Sequence, residues 1–245
     1  MPINRKLATK DLALIVCFTA VYAVFAAIPI FQILGMPNAS ITAAAITAPI
    51  IGVLLGPYMG TLSVILGGTI SFSFGFFSPM SFVSGIVASL CAGLLYNGKR
   101  AWCFVVYLLS LMMLSFYPSI GPAWLFPLYS WFQVAGLLVL VSPLESMAIK
   151  NLKSAKVSSC FLSFFVVSLT STLAGQICGS LTALAIIPSL ASAWLLNFQL
   201  LTVQYPIERI VIAFGSALIG VPLFRILRSS NLLRVVSREG GKEFP

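Results

Sequence analysis

Charge is missing from long stretches of this chain, and that absence restricts the fold more than any other feature. No Lys, Arg, Asp or Glu occurs from Leu12 to Gly98, from Ala101 to Leu144, or from Val157 to Ile207. A soluble domain is about a quarter charged, whereas here 8% of residues are charged and 60% are hydrophobic. A soluble fold of that composition would expose large apolar patches, so the apolar surface has to face lipid. In lipid each backbone N–H and C=O needs an internal partner, which leaves closed barrels and helices. Uninterrupted runs of about 20 apolar residues choose helices.

The expected fold is all-α: a single integral membrane domain over 1–245, a polytopic bundle of about eight transmembrane helices. Crossings are expected near 12–33, 40–56, 60–77, 81–96, 101–117, 124–148, 157–188 and 203–228. Turn chemistry separates them: Gly35-Met36-Pro37-Asn38, Gly56-Pro57, Ser78-Pro79, Asn97-Gly98, Pro118 with Gly121-Pro122, and Pro188. The first run is too long for a signal-peptide core, so no cleaved leader is expected.

The basic residues test this path. Arg5, Lys6 and Lys10 precede the first crossing, Lys99 and Arg100 follow the fourth, and Lys150, Lys153 and Lys156 follow the sixth. Arg225, Arg228, Arg234, Arg238 and Lys242 end or follow the eighth, so every Lys and Arg except Arg209 falls on one side. Positive loops face the cytoplasm, which implies a multi-pass protein of the cell membrane with both termini cytoplasmic. The net charge of +9 is therefore a topology signal, and no nucleic-acid partner is implied. Charge parity allows one or three crossings in 34–96. Three give eight in all; one plus a re-entrant segment gives six.

Cys17, Cys91, Cys103, Cys160 and Cys178 lie in apolar runs without CxxC spacing and read as small packing residues. Histidine is absent and only five acids are present, so no metal site is expected. There is no GxxxxGK[ST] phosphate loop and no HExxH. No cofactor is implied, and the chain is not expected to be an enzyme. Small residues at Ser40, Ala44, Ala48, Gly52, Gly56 and Gly60, and again at Gly175 and Gly179, mark faces for close helix packing.

Glu208 and Arg209 are the only charges expected in the outer half. Ionisable residues inside a membrane usually mark a functional site. Adjacent helical residues point about 100° apart, so at least one of the pair needs another partner. Pro206 is expected in the first turn of the last helix, directing a partly positive helix start at an anionic ligand group. Gln204, Tyr205, Asn197, Gln176 and Asn38 are the further substrate-binding candidates, with Gln199 and Gln133 behind them. A structural ion pair is the alternative reading. Three competing classes remain: a self-contained secondary transporter or channel, a non-transport assembly protein, and a membrane enzyme.

Two stretches carry a family resemblance. Pro49-Ile50-Ile51-Gly52-Val53-Leu54-Leu55-Gly56-Pro57-Tyr58-Met59-Gly60, running on to Gly68, contains an LGPxxG turn. Pro206-Ile207-Glu208-Arg209-Ile210-Val211 is followed by Ala217-Leu218-Ile219-Gly220-Val221-Pro222-Leu223. Both resemble the substrate-binding S components of energy-coupling factor (ECF) transporters, the prokaryotic vitamin importers, and the opening Asp11–Ala23 run fits that family's first helix. The likeness covers roughly 8–96 and 203–228. It implies a subunit that captures a small molecule, such as a vitamin or its precursor, near the outer face under the loop around Gly35–Ala39. It further implies six helices plus an extra hairpin here, and partners comprising membrane lipids, a transmembrane coupling subunit and ATPase subunits. Ala13, Cys17, Ala23 and Ala27 stand where the family's first helix docks on that coupling subunit.

Overall fold

The computed structural model describes residues 9–118, 120, 127–152 and 156–230, apart from the side chains of 37, 38 and 127–129. The order is α1 (Thr9–Ala26), a β-hairpin of β1 (Pro29–Ile33) and β2 (Met36–Thr42), α2 (Ala44–Ser73), α3 (Pro79–Tyr96) and α4 (Arg100–Ser115). Then follow α5 (Pro127–Val141), α6 (Pro143–Asn151), α7 (Val157–Ile186), the short α8 (Leu190–Leu196) and α9 (Phe198–Ser229). The all-α expectation holds.

Five of the described helices, α1, α2, α3, α7 and α9, are long and apolar enough to cross a membrane. The pair α5–α6, bent by 66°, makes a sixth if taken as one span. α2 is more than one rod. Gly56 interrupts it at φ 79°, ψ 178°, a conformation essentially restricted to glycine. Across that break Gly60 packs on the backbone of Ile51 and Gly52, and Gly93 of α3 abuts Gly56 and Pro57. Further along α3, Gly85 and Phe82 meet Val64 and Gly68 in reverse order. Residues 44–55 and 57–73 are therefore two arms of a helical hairpin, the first running with α3 and the second against it. Counted as rods, the described residues give eight: α1, the two arms, α3, α4, α5–α6, α7 and α9.

The bundle is apolar outside as well as in its core, as lipid requires. Val16, Val24, Tyr58, Phe74, Leu109, Leu138, Leu162 and Leu218 project outward, while Ser63, Ser89, Ser168, Thr170 and Ser171 are buried. Many hydroxyls bond the carbonyl four residues back, as Ser63 does to Met59 (3.0 Å) and Thr172 to Ser168 (2.8 Å), which satisfies them in an apolar setting; those of Ser89 and Ser168 have no partner. The small-residue faces are internal. Gly52 rests on the Ser89 backbone, and Gly175 and Gly179 rest on Ser84 and Met80 of α3. With an apolar chain buried in an apolar solvent, such backbone approach is what holds helices together.

The two ends of the bundle differ. At one end Lys99 lies over the Tyr58 ring, 5.6 Å from its centroid. There Arg100 donates to the carbonyls of Leu140 and Ser142 and to the Ser146 hydroxyl (2.7 Å), clasping the α5–α6 bend. The other end carries the β-hairpin and α8. Arg5, Lys6, Lys153, Arg234, Arg238 and Lys242 lie outside the described residues.

Four boundaries differ from expectation for physical reasons. The first crossing stops at Ala26 instead of 33, because Pro29–Ile33 pairs as a strand with Met36–Thr42 around Gly35 at φ 83°. The second begins at Ala44, after that strand. The sixth breaks at Ser142-Pro143, where the serine hydroxyl accepts from the Leu144 N–H (3.3 Å) and the proline occupies the first helical position. The eighth starts at Phe198, five residues before 203, because α9 begins directly where α8 ends at Asn197.

Candidate functional site

Polar side chains from three helices converge beneath the β-hairpin. Thr172, Gln176 and Ser180 recur every four residues on α7, and Tyr205 and Arg209 do so on α9, so each set occupies one helix face. Ser81 and Ser84 of α3 stand opposite. The hairpin adds Ile33, Ile41 and Thr42 as a roof, with Tyr22 of α1 and Trp194 of α8 in the walls. All of these line one cavity of about 80 Å³. Its floor is made of small residues, Ala45, Ala48, Gly85, Ala88, Gly179 and Ala183.

The roof is latched. Trp194 is buried, and its indole N–H donates to the Leu34 carbonyl at 3.0 Å. Gly35, at the turn, lies against Leu190, Ala193 and Trp194 of α8.

Arg209 is 4% exposed and is the one charged side chain among the residues that line the cavity. Glu208, 1% exposed, stands beside it. One carboxylate oxygen accepts from the Gln204 amide at 2.6 Å, and the other lies 3.8 Å from the Arg209 Nη2. That separation is an ion pair without a hydrogen bond, and neither this Glu208 oxygen nor the Arg209 Nε has a hydrogen-bond partner. The expectation that the pair would need another partner is met on the Glu208 side by Gln204.

Several cavity groups are likewise unsatisfied. Both amide atoms of Gln176, the Tyr22 hydroxyl and the Thr42 hydroxyl are buried without a hydrogen bond. Buried polar groups are nearly always paired, so these cavity groups leave hydrogen-bonding positions open to whatever enters the cavity.

Arg209, Tyr205 and Gln176 are thus brought together in one cavity, with Glu208 and Gln204 beside Arg209. Gln204 borders a separate shallow recess under the hairpin tip, with Gln32 and Gly35. Asn197 is elsewhere: it is exposed, and its amide donates to the Ala193 carbonyl at the end of α8 (2.8 Å). The side chain of Asn38 lies outside the described residues, although its backbone belongs to β2. Pro206 sits inside α9, not in its first turn. The helix start is about three turns away from Arg209, and a helix dipole acts only over the terminal turn. Attraction for an anion therefore comes from the guanidinium itself. Ala13 and Cys17 on α1 and Ala27 just after it are exposed, whereas Ala23 faces the second arm of α2, its carbonyl accepting from Ser71 at 3.2 Å.

Tyr22, Thr42 and Trp194 were not foreseen as site residues. Trp194 reads in sequence as an interfacial aromatic, and a tyrosine or threonine in an apolar run carries no mark of facing a cavity.

No family model, curated protein or solved structure matches this chain. The functional reading stands on the cavity, its roof and the chemistry of the groups that line it.

Proposed function

We propose that this chain is the membrane-embedded capture subunit of an ECF-type importer, binding a small molecule such as a vitamin or its precursor in the cavity under the β-hairpin. The observation that carries this reading is a latched hairpin over buried polar atoms without hydrogen-bond partners, the Arg209 Nε among them. The LGPxxG stretch, Leu55 to Gly60, supports it as the turn of a tight helical hairpin. In this reading the chain resides in the cell membrane with both termini in the cytoplasm and the hairpin at the outer face. The basic end meets a transmembrane coupling subunit that answers to separate ATPases. Exposed Ala13 and Cys17, one turn apart on α1, give that subunit a surface of small residues.

One observation favours a second reading, a gradient-driven transporter. Glu145 of α6 is completely buried, with the Thr170 hydroxyl and the Arg100 guanidinium beside its carboxylate. An intramembrane acid of this kind is what ion coupling requires. Proteoliposomes containing only this chain separate the two. The capture reading expects binding of the molecule found on the purified protein, with no accumulation under a sodium or proton gradient. Accumulation driven by either gradient overturns it in favour of the transporter.

A further inference from the structure

We infer that the ligand of this cavity is a small monoanion that also carries an amide-like edge, with an N–H and a C=O side by side. The inference rests on the capture reading and deepens it.

Charge sets the first half. Among the described residues Arg209 is the one charged side chain lining the cavity, so the charged group the cavity wall offers a ligand is a guanidinium, with Glu208 paired behind it. Its Nε is buried and unpaired, and a guanidinium offers its N–H groups as a planar fork suited to a carboxylate. A cationic ligand finds no carboxylate among the lining residues. A phosphate monoester, with nearly two charges, finds only one cation. Glu208 stays with Gln204 and Arg209 and is not among the lining residues.

Gln176 sets the second half. Its side chain is 6% exposed, and both the amide oxygen and the amide nitrogen lack partners. One atom accepts and the other donates. A lactam, imide or cyclic urea satisfies both at once with its own N–H and C=O. A hydroxyl or a bare aromatic ring leaves at least one unpaired, which costs binding. The Thr42 and Tyr22 hydroxyls add two single bonding positions of either sense. Alanines and glycines line the cavity together with the rings of Tyr205 and Trp194.

The test uses purified chain in detergent and five defined probes. Orotate and pyroglutamate carry both features, benzoate only the anion, uracil only the edge, and choline neither. Retention after gel filtration is read by mass spectrometry, and affinities by titration. Orotate or pyroglutamate should be retained, with benzoate, uracil and choline at least about tenfold weaker. Arg209→Ala and Gln176→Met should each weaken the retained probe at least about tenfold. Gln176→Met guards against misfolding as the explanation: it replaces an unpartnered buried amide with an apolar chain of similar length, so its melting temperature should equal or exceed the wild type. Preferential retention of benzoate, uracil or choline overturns the ligand class and leaves capture standing. Undiminished binding by Gln176→Met, or retention of none of the five, overturns the inference. Capture itself is decided separately, by the mass of protein taken from its own membranes.

Discussion

Replacing Trp194 with phenylalanine isolates the latch that holds the hairpin down. The tryptophan is 2% exposed and its N–H reaches the Leu34 carbonyl at 3.0 Å. Phenylalanine keeps most of the ring's apolar contact but removes the donor and leaves that carbonyl unpaired. A net hydrogen bond contributes about 1 kcal/mol, which corresponds to roughly a fivefold change in the ratio of closed to open hairpin. Amide hydrogen exchange reads that ratio directly, because local opening sets the exchange rate. Peptides spanning 29–42 in Trp194→Phe should exchange about five times faster than in wild type, while those of α3 and α7 stay unchanged. Equal exchange in the hairpin would refute the latch. Loss of protection throughout the bundle would show that the ring supports the core and not the hairpin alone.

Three further outcomes follow from the packing. Gly56→Ala forces a side chain into a backbone region reserved for glycine, so thermal melts should show a loss of about 1–3 kcal/mol; an unchanged melt contradicts the hairpin geometry of α2. Arg100→Lys cannot reproduce the fork that binds Leu140, Ser142 and Ser146 and should lose most of what Arg100→Ala loses, about 2 kcal/mol. A lysine variant as stable as wild type contradicts that role for the clasp. Gly175→Leu drives its side chain into the Ser84 backbone and should cost about 1–3 kcal/mol by overpacking, read as a lower melting temperature; wild-type stability would mean that α3 and α7 do not approach so closely.

The helices were legible because hydropathy and turn chemistry agree. Gly56-Pro57, Ser78-Pro79 and Asn97-Gly98 all sit at observed breaks. The hairpin was hidden because Pro29–Ile33 is as apolar as the helix before it, and only the pairing with β2 makes it a strand. The α5–α6 bend was marked by Pro143, but a proline kinks a membrane helix as readily as it ends one. In the site, an arginine in an apolar helix announces itself, and Gln176 does so more quietly. The same rule put Asn197 forward, yet its amide serves a helix end, where unpaired carbonyls abound. Pro206 misled because prolines favour first turns, while continuity from Phe198 depends on how α8 hands over to α9.

The most direct test of a ligand held by Arg209 under the hairpin is native mass spectrometry of the chain extracted gently from its own membranes, beside Arg209→Ala prepared identically and shown by its melt to be folded. The wild-type protein should carry one small molecule per chain, and the variant should carry none. A folded variant with the same adduct, or a wild-type protein that binds nothing, would contradict the site.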